Sequence, residues 1–472
     1  MRALCLALTI CGAALAVSGC GGGGAGAPPV STNASAPPPR HPKGQPIKHI
    51  VLMIQENRTF NNLFAGFPGA VSTTTGKELV KSGTGYVPQQ VPLAETNLLA
   101  KGNLNHRYVA YQTAYQNGAM DGFNLIKYGT NGKPENLAPY QYVNPAKIAP
   151  YRTIAAQWGL ADNFFQTQGS GSFIAHQDLI RGGTAINTTE SLIDDPTTNA
   201  AWGCFSPAGA KTSLITTDLQ YEADKGPFPC TTNFPYPNQY LTLGDLMNAK
   251  NVQWKYYTPA QTKGTVGALW NAYLVIASIC NAQGKCSSNI STPESSIFSD
   301  ISNGTLPPMS WVIPDAPNSD HPGYSSKDTG PAWVASVVNA IGESQYWNTT
   351  AIVVVWDDWG GFYDPVPPPF QDDQGGAGFR VPMLVISPYV KTGSGSHGGY
   401  ISHTLYGFGS IVRFIEDNWK LGRLGTTDQS SASIANMFNY KQSPRGFKKI
   451  SSPYDERYFL RQKPSGLPVD TE

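Results

Sequence analysis

The sequence predicts a three-layer α/β/α sandwich around a mostly parallel sheet. Apolar runs rich in Val and Ile, at 48–54, 252–257, 310–313, 351–356 and 383–387, are polar only at their ends, as parallel strands buried on both faces are. Segments of helical period lie between and after these runs, and strands that alternate with helices make a parallel sheet covered by helices. Hydrophobic residues, 40% of 472, can fill a core of that size and exclude wholesale disorder.

Taken in chain order, the run at 48–54 opens the sheet, and a helix-like run spans 175–180. The stretch from about 190 to 240 has no clean period and contains Cys204 and Cys230, so it reads as a disulfide-bearing insertion. Strands at 252–257 and 310–313 follow. A helix is predicted around Val334, Val337, Val338 and Ile341, with Pro331 at its start. The runs at 351–356 and 383–387 are two further strands. From Phe408 the apolar set Ile411, Val412, Ile415 and Trp419 has the period of a final helix. The sandwich so drawn occupies 47–447, and 448–472 is a polar, proline-punctuated tail.

The first residues read as an export address. Residues 3–19 are mostly apolar behind Arg2, which fits a cleaved signal peptide. The sequence Val17-Ser18-Gly19-Cys20 resembles a bacterial lipobox, so Cys20 is expected to carry a lipid anchor to the membrane. Residues 20–46, rich in Gly, Pro and Ser, form a tether, and the protein is expected in the cell envelope, periplasmic or on the outer surface. Beyond the leader stand Cys204, Cys230, Cys280 and Cys286, an even number that suggests disulfides. Nearness in sequence pairs Cys204 with Cys230 and Cys280 with Cys286; zinc is the alternative, without a CxxC pair or a nearby His in its favour. The 33 basic and 32 acidic side chains nearly cancel and form no basic patch, so nucleic acid is not an expected partner.

In sheets of this kind ligands bind beyond the carboxyl ends of the strands. The run at 48–54 is followed by Glu56 and Asn57, the run at 351–356 by Asp357 and Asp358, and the run at 310–313 by Ser319-Asp320-His321. Each acidic residue alone could cap a helix or turn. Adjacent Asp357 and Asp358 repel unless a cation or a cationic side chain neutralises them. With Glu56 and the Asn57 carbonyl they make a hard oxygen set suited to one divalent metal ion. The segment Gln168-Gly169-Ser170-Gly171-Ser172 offers a hydroxyl and backbone N–H groups ahead of a helix.

These residues lie in the motifs HIVLMIQENRTFNNLFAGFPGA, ADNFFQTQGSGSFIAHQ, SDHP, VVVWDDWGGFYDPVPPP and ISHTLYGFGSIVRFIEDNW. With them the chain resembles, over about 48–419, the bacterial phosphoesterase family of phospholipases C and acid phosphatases, within the alkaline-phosphatase-like superfamily. The resemblance implies hydrolysis of a small phosphate ester or phospholipid through a covalent phosphoserine. It makes Glu56, Asn57, Asp357 and Asp358 the metal ligands and Ser172 the nucleophile. His106 and His321 become phosphate contacts or proton donors, and His176 stands within reach of the phosphate where phospholipase-like members usually carry Arg. Pro365 replaces a family His, Gly171 a Pro, Asn103 an Asp and Gly407 an Asp. A non-catalytic surface lipoprotein that keeps the fold as a binding module is the alternative those departures suggest. Ser172 and the Ala175-His176 that follow lean toward phosphomonoesters.

Overall fold

The structure is a computed structural model and describes residues 46–467 apart from 100–102, 129–131, 197–202, 204–205, 208, 228–239, 261–269, 281–284, 325–328 and 394–397. The signal peptide, Cys20, the tether and the Cys204–Cys230 pair lie outside the described residues. Cys280 and Cys286 are joined by a disulfide.

The chain enters the sheet through β1 (His49–Gln55). Helices α1 (Tyr108–Tyr115) and α2 (Ala149–Gln157) lead to the short strand β2 (Gly159–Ala161), and α3 (Ser172–Arg181) follows. A small antiparallel sheet comes next, of β3 (Glu190–Ile193), β4 (Ser213–Thr216) and β5 (Tyr221–Glu222). The chain returns through α4 (Leu243–Ala249), β6 (Trp254–Tyr257) and β7 (Ile290–Ser291). Then α5 (Ser296–Ser302) precedes β8 (Met309–Val312), and α6 (Gly330–Gly342) precedes β9 (Thr350–Trp356). The last elements are β10 (Met383–Ile386), β11 (Tyr400–Ser402), α7 (Phe408–Trp419) and α8 (Glu456–Arg461).

The main sheet has the order β7-β6-β8-β1-β9-β10-β2-β11. Its pairs are parallel except β9–β10 and β10–β2. The run at 383–387 is therefore an antiparallel strand, not the parallel one its composition suggests. The reason lies in its connection: residues 357–382 contain no helix that could cross a face of the sheet, so the chain re-enters from the end at which β9 left it.

Both faces are covered, and adjacent side chains of β6 identify the layers. Lys255 turns to Asp300 on α5, 2.6 Å away, while Tyr256 packs with Trp311, whose indole N–H donates to the Leu179 carbonyl of α3 at 3.3 Å. Successive strand residues point to opposite faces, so α5 and α3 lie on opposite sides. Helix α6 packs with α5, α2 and α8 in one layer, and α3 packs with α4 and α7 in the other. Between them β9 is buried at every residue, as a strand apolar from Ala351 to Trp356 and covered on both sides must be.

A second, aromatic cluster of Tyr108, Tyr111, Phe123, Trp359, Tyr363 and Phe379 sits under the loop after β9. Trp356, Trp359 and Tyr363 are core residues here. Within residues 448–467, Phe459 of α8 packs edge-on against Trp333 of α6, and Ser465 is bonded to Asp315.

Candidate active site

Register builds the site. Gln55 on β1 pairs with Trp356 on β9, so Glu56-Asn57 and Asp357-Asp358 leave the sheet side by side at its carboxyl edge. The Asp357 N–H donates to the Gln55 carbonyl and the Asn57 N–H to Asp357 Oδ1, each at 2.9 Å. Asn57 has φ +56°, a left-handed conformation that Asn adopts more readily than most side chains. Gly360 has φ +58°, and a Cβ there would stand 2.2 Å from the Asn57 carbonyl oxygen, so only glycine lets the two turns touch.

Ser172 arrives from another part of the chain. It is the first residue of α3, a helix buried at all ten positions. The helix stops at Gly182, whose left-handed backbone returns its N–H to the Asp178 carbonyl. The Ser172 hydroxyl lies 3.0 Å from Asp358 Oδ2, 3.4 Å from Glu56 Oε2 and 3.5 Å from Asn57 Oδ1. Side chains four apart on a helix share a face. His176 accordingly meets the same carboxylates, with Nε2 2.9 Å from Glu56 Oε1 and 3.8 Å from Asp357 Oδ2.

His106 closes the network. Its Nδ1–H donates to the Leu104 carbonyl at 2.7 Å, which leaves Nε2 to accept from the Asn57 amide at 2.7 Å. The amide oxygen of Asn57 is thereby turned toward Ser172. Burial lowers the His106 pKa to about 3 and that of His176 to about 4, so both rings are neutral. The indole N–H of Trp359 donates to the His106 carbonyl at 3.0 Å, tying this residue to the aromatic cluster.

His321 stands on the neighbouring loop after β8. That loop is fixed to β1 by the Glu56 N–H, which donates to the Ser319 carbonyl at 2.8 Å. The Nδ1–H of His321 donates to the Pro322 carbonyl at 2.7 Å, and its ring is tilted against Trp270 and Tyr324. Its nearness disfavours protonation of His106.

A divalent cation fits this donor set. Glu56, Asp357 and Asp358 are completely buried. Burial pushes the Glu56 carboxyl up to about 8, and burial together with the charge of Glu56 holds Asp357 well above the usual carboxylate range. Among the described residues no donor reaches Asp357 Oδ2, an orphaned buried oxygen that a cation would satisfy. One side-chain oxygen or nitrogen from each of Glu56, His176 and Asp357 lies within 4.8 Å of the others, close enough to share an ion.

Sequence reasoning missed Asp195. It follows β3 in the stretch read as an insertion, and it is buried. Its Oδ1 accepts the Phe173 N–H at 2.7 Å and caps the helix that carries Ser172. A Cβ on Gly171 would lie 3.3 Å from the same oxygen, which explains a small residue at that position. No local pattern marks Asp195, because its partner is 22 residues away.

Residues 47–422 match the model of the Phosphoesterase family. Phospholipase C B of Mycobacterium tuberculosis is 26% identical over 461 residues, which cover 85% of this chain and 79% of that protein. The non-hemolytic phospholipase C of Pseudomonas aeruginosa is 23% identical over 425 residues; the match covers 80% of this chain but 55% of the Pseudomonas protein. A solved structure of a protein in the alkaline phosphatase superfamily from Vibrio parahaemolyticus aligns with a TM-score of 0.36 at 10% identity, over 85% of this chain and 74% of its own.

Proposed function

The chain belongs to the Phosphoesterase family, and on that premise we propose that it hydrolyses phosphate esters by in-line attack of Ser172 on phosphorus. The observation that carries this reading is one convergence: a buried hydroxyl 3.0 Å from Asp358 and 3.4 Å from Glu56, among residues drawn from three distant stretches of chain. Glu56, Asn57, Asp357 and Asp358 would hold a divalent cation, which would stabilise the serine alkoxide and offset charge on the phosphoryl oxygens.

The protein's own groups do the rest. Asp358 Oδ2 takes the proton from Ser172. The Oγ–P bond forms as the P–O bond to the alcohol breaks, which leaves a phosphoserine at 172. His321 protonates the departing alkoxide through Nε2, since its Nδ1–H is engaged by Pro322. His106, neutral and held by Leu104, is a positioning residue for Asn57. Water then attacks phosphorus and gives a proton to His321 as the Oγ–P bond breaks, and Ser172 Oγ recovers its proton from Asp358 as phosphate leaves.

The relatives named phospholipase C bring phospholipids into the substrate range; Ser172 and Ala175-His176 are the features that lean toward phosphomonoesters. Rates on p-nitrophenyl phosphate and p-nitrophenylphosphorylcholine separate the two classes. Ser172→Ala is expected to lower either rate by about a thousandfold or more with an unchanged circular dichroism spectrum. Retention of most activity in that variant rules the nucleophile out. Acid quenching of the wild type during turnover of a 32P-labelled ester should leave label on Ser172.

A further inference from the structure

We infer that His176 is a further ligand of the cation, and that its imidazole nitrogen makes the site prefer a transition ion of the Zn2+ or Co2+ class to Ca2+. The inference rests on the metal-site reading above and goes beyond its oxygen ligand set. His176 is completely buried, with Nε2 2.9 Å from Glu56 Oε1 and 3.8 Å from Asp357 Oδ2. Two atoms bound to one ion at about 2.0–2.1 Å lie about 3–3.4 Å apart, so a small inward shift of Asp357 brings these three groups to ligand spacing. The ring is aimed at the two carboxylates.

Oxygen-only sets suit Ca2+ and Mg2+, whereas imidazole favours Zn2+ and its transition-metal neighbours. One histidine among four oxygen-donor residues therefore changes the kind of ion held. The ligand and the nucleophile also share a helix: His176 is one turn from Ser172 on α3, so seating the ion on the imidazole fixes the Ser172 hydroxyl against it.

The test uses the full-length protein stripped with a chelator and titrated with Co2+ or Ca2+, with metal binding read directly. Wild type is expected to take up one Co2+ per chain in the presence of about a hundredfold excess of Ca2+. His176→Gln is expected to lose about tenfold or more in Co2+ affinity, change the visible Co2+ spectrum and keep its Ca2+ affinity. Asp357→Asn should weaken both ions. Unchanged Co2+ affinity and spectrum in His176→Gln overturn the inference while leaving the metal site standing. Failure of wild type to bind either ion, or an Asp357→Asn variant that binds both normally, overturns the metal site itself. X-ray absorption on Co2+-loaded wild type needs no variant: a shell with a nitrogen ligand is expected, and an all-oxygen shell refutes the assignment.

Discussion

Glu56, Asp357 and Asp358 cannot all be ionised inside the protein without a counter-charge, and the raised pKa values of the first two express that cost. Asp357→Asn should therefore reduce metal content together with rate, as elemental analysis of the purified variant would show. Asp195 acts through the backbone. Asp195→Ala is expected to cost about 1 kcal/mol of stability and to lower kcat by about ten- to hundredfold, as Ser172 loses its fixed start of helix. Asp195→Asn, which keeps an acceptor for the Phe173 N–H, should restore much of that loss; equal defects in both variants would exclude the capping role. Glu135 is a separate buried carboxyl, pushed by burial to about 7 even though it accepts the Asn105 N–H. Folding raises its proton affinity, so the folded state holds more protons than the unfolded chain between about 4.5 and 7. Stability from this group is complete below that window and declines as pH rises through it. Glu135→Gln should flatten the fall in Tm between those pH values relative to wild type.

Helix α3 and the turns after β1 and β9 do the positioning. Their sequence signals differ in strength. β1 and β9 are continuous apolar runs, and their bounds in the structure differ from the sequence expectation by a residue at each end or less. The ends of those runs also exposed Glu56, Asn57, Asp357 and Asp358, because a polar residue directly after a buried strand is conspicuous. Short β2 and β11, three residues each, carry no period to detect. The direction of β10 was not legible either: composition reports burial on both faces, while direction depends on how the chain returns to the sheet. Contact between the two turns is tightest at Gly360. Gly360→Ala is expected to destabilise the protein by about 2–4 kcal/mol, read as a lower urea midpoint, since the new methyl meets the Asn57 carbonyl in a left-handed backbone. A midpoint equal to wild type would show that the turns can part without cost.

A site made from the ends of several strands joins the main sheet to the small antiparallel sheet through Asp195. Bound metal should stabilise the whole molecule by about 2.7 kcal/mol at a hundredfold excess over Kd, and chelation should lower Tm accordingly. The membrane anchor is a separate proposal, resting on the Val17–Cys20 sequence: Cys20→Ser should move the protein from the membrane fraction to the soluble one. Among the described residues no helix is long and apolar enough to cross a membrane. What the sequence determined by itself was everything written in contiguous residues: buried strands, amphipathic helices, and the chemical types gathered at strand ends. Even Ser172 was reached by likeness of motif, since a Gly/Ser turn is common. Only the tertiary structure decided that Asp195 caps the helix that opens at Ser172, that His106 orients Asn57, and that His176 faces Glu56 and Asp357. Those relations join residues up to 181 positions apart through packing, and hydrogen bonds at such separation leave no periodicity along the chain.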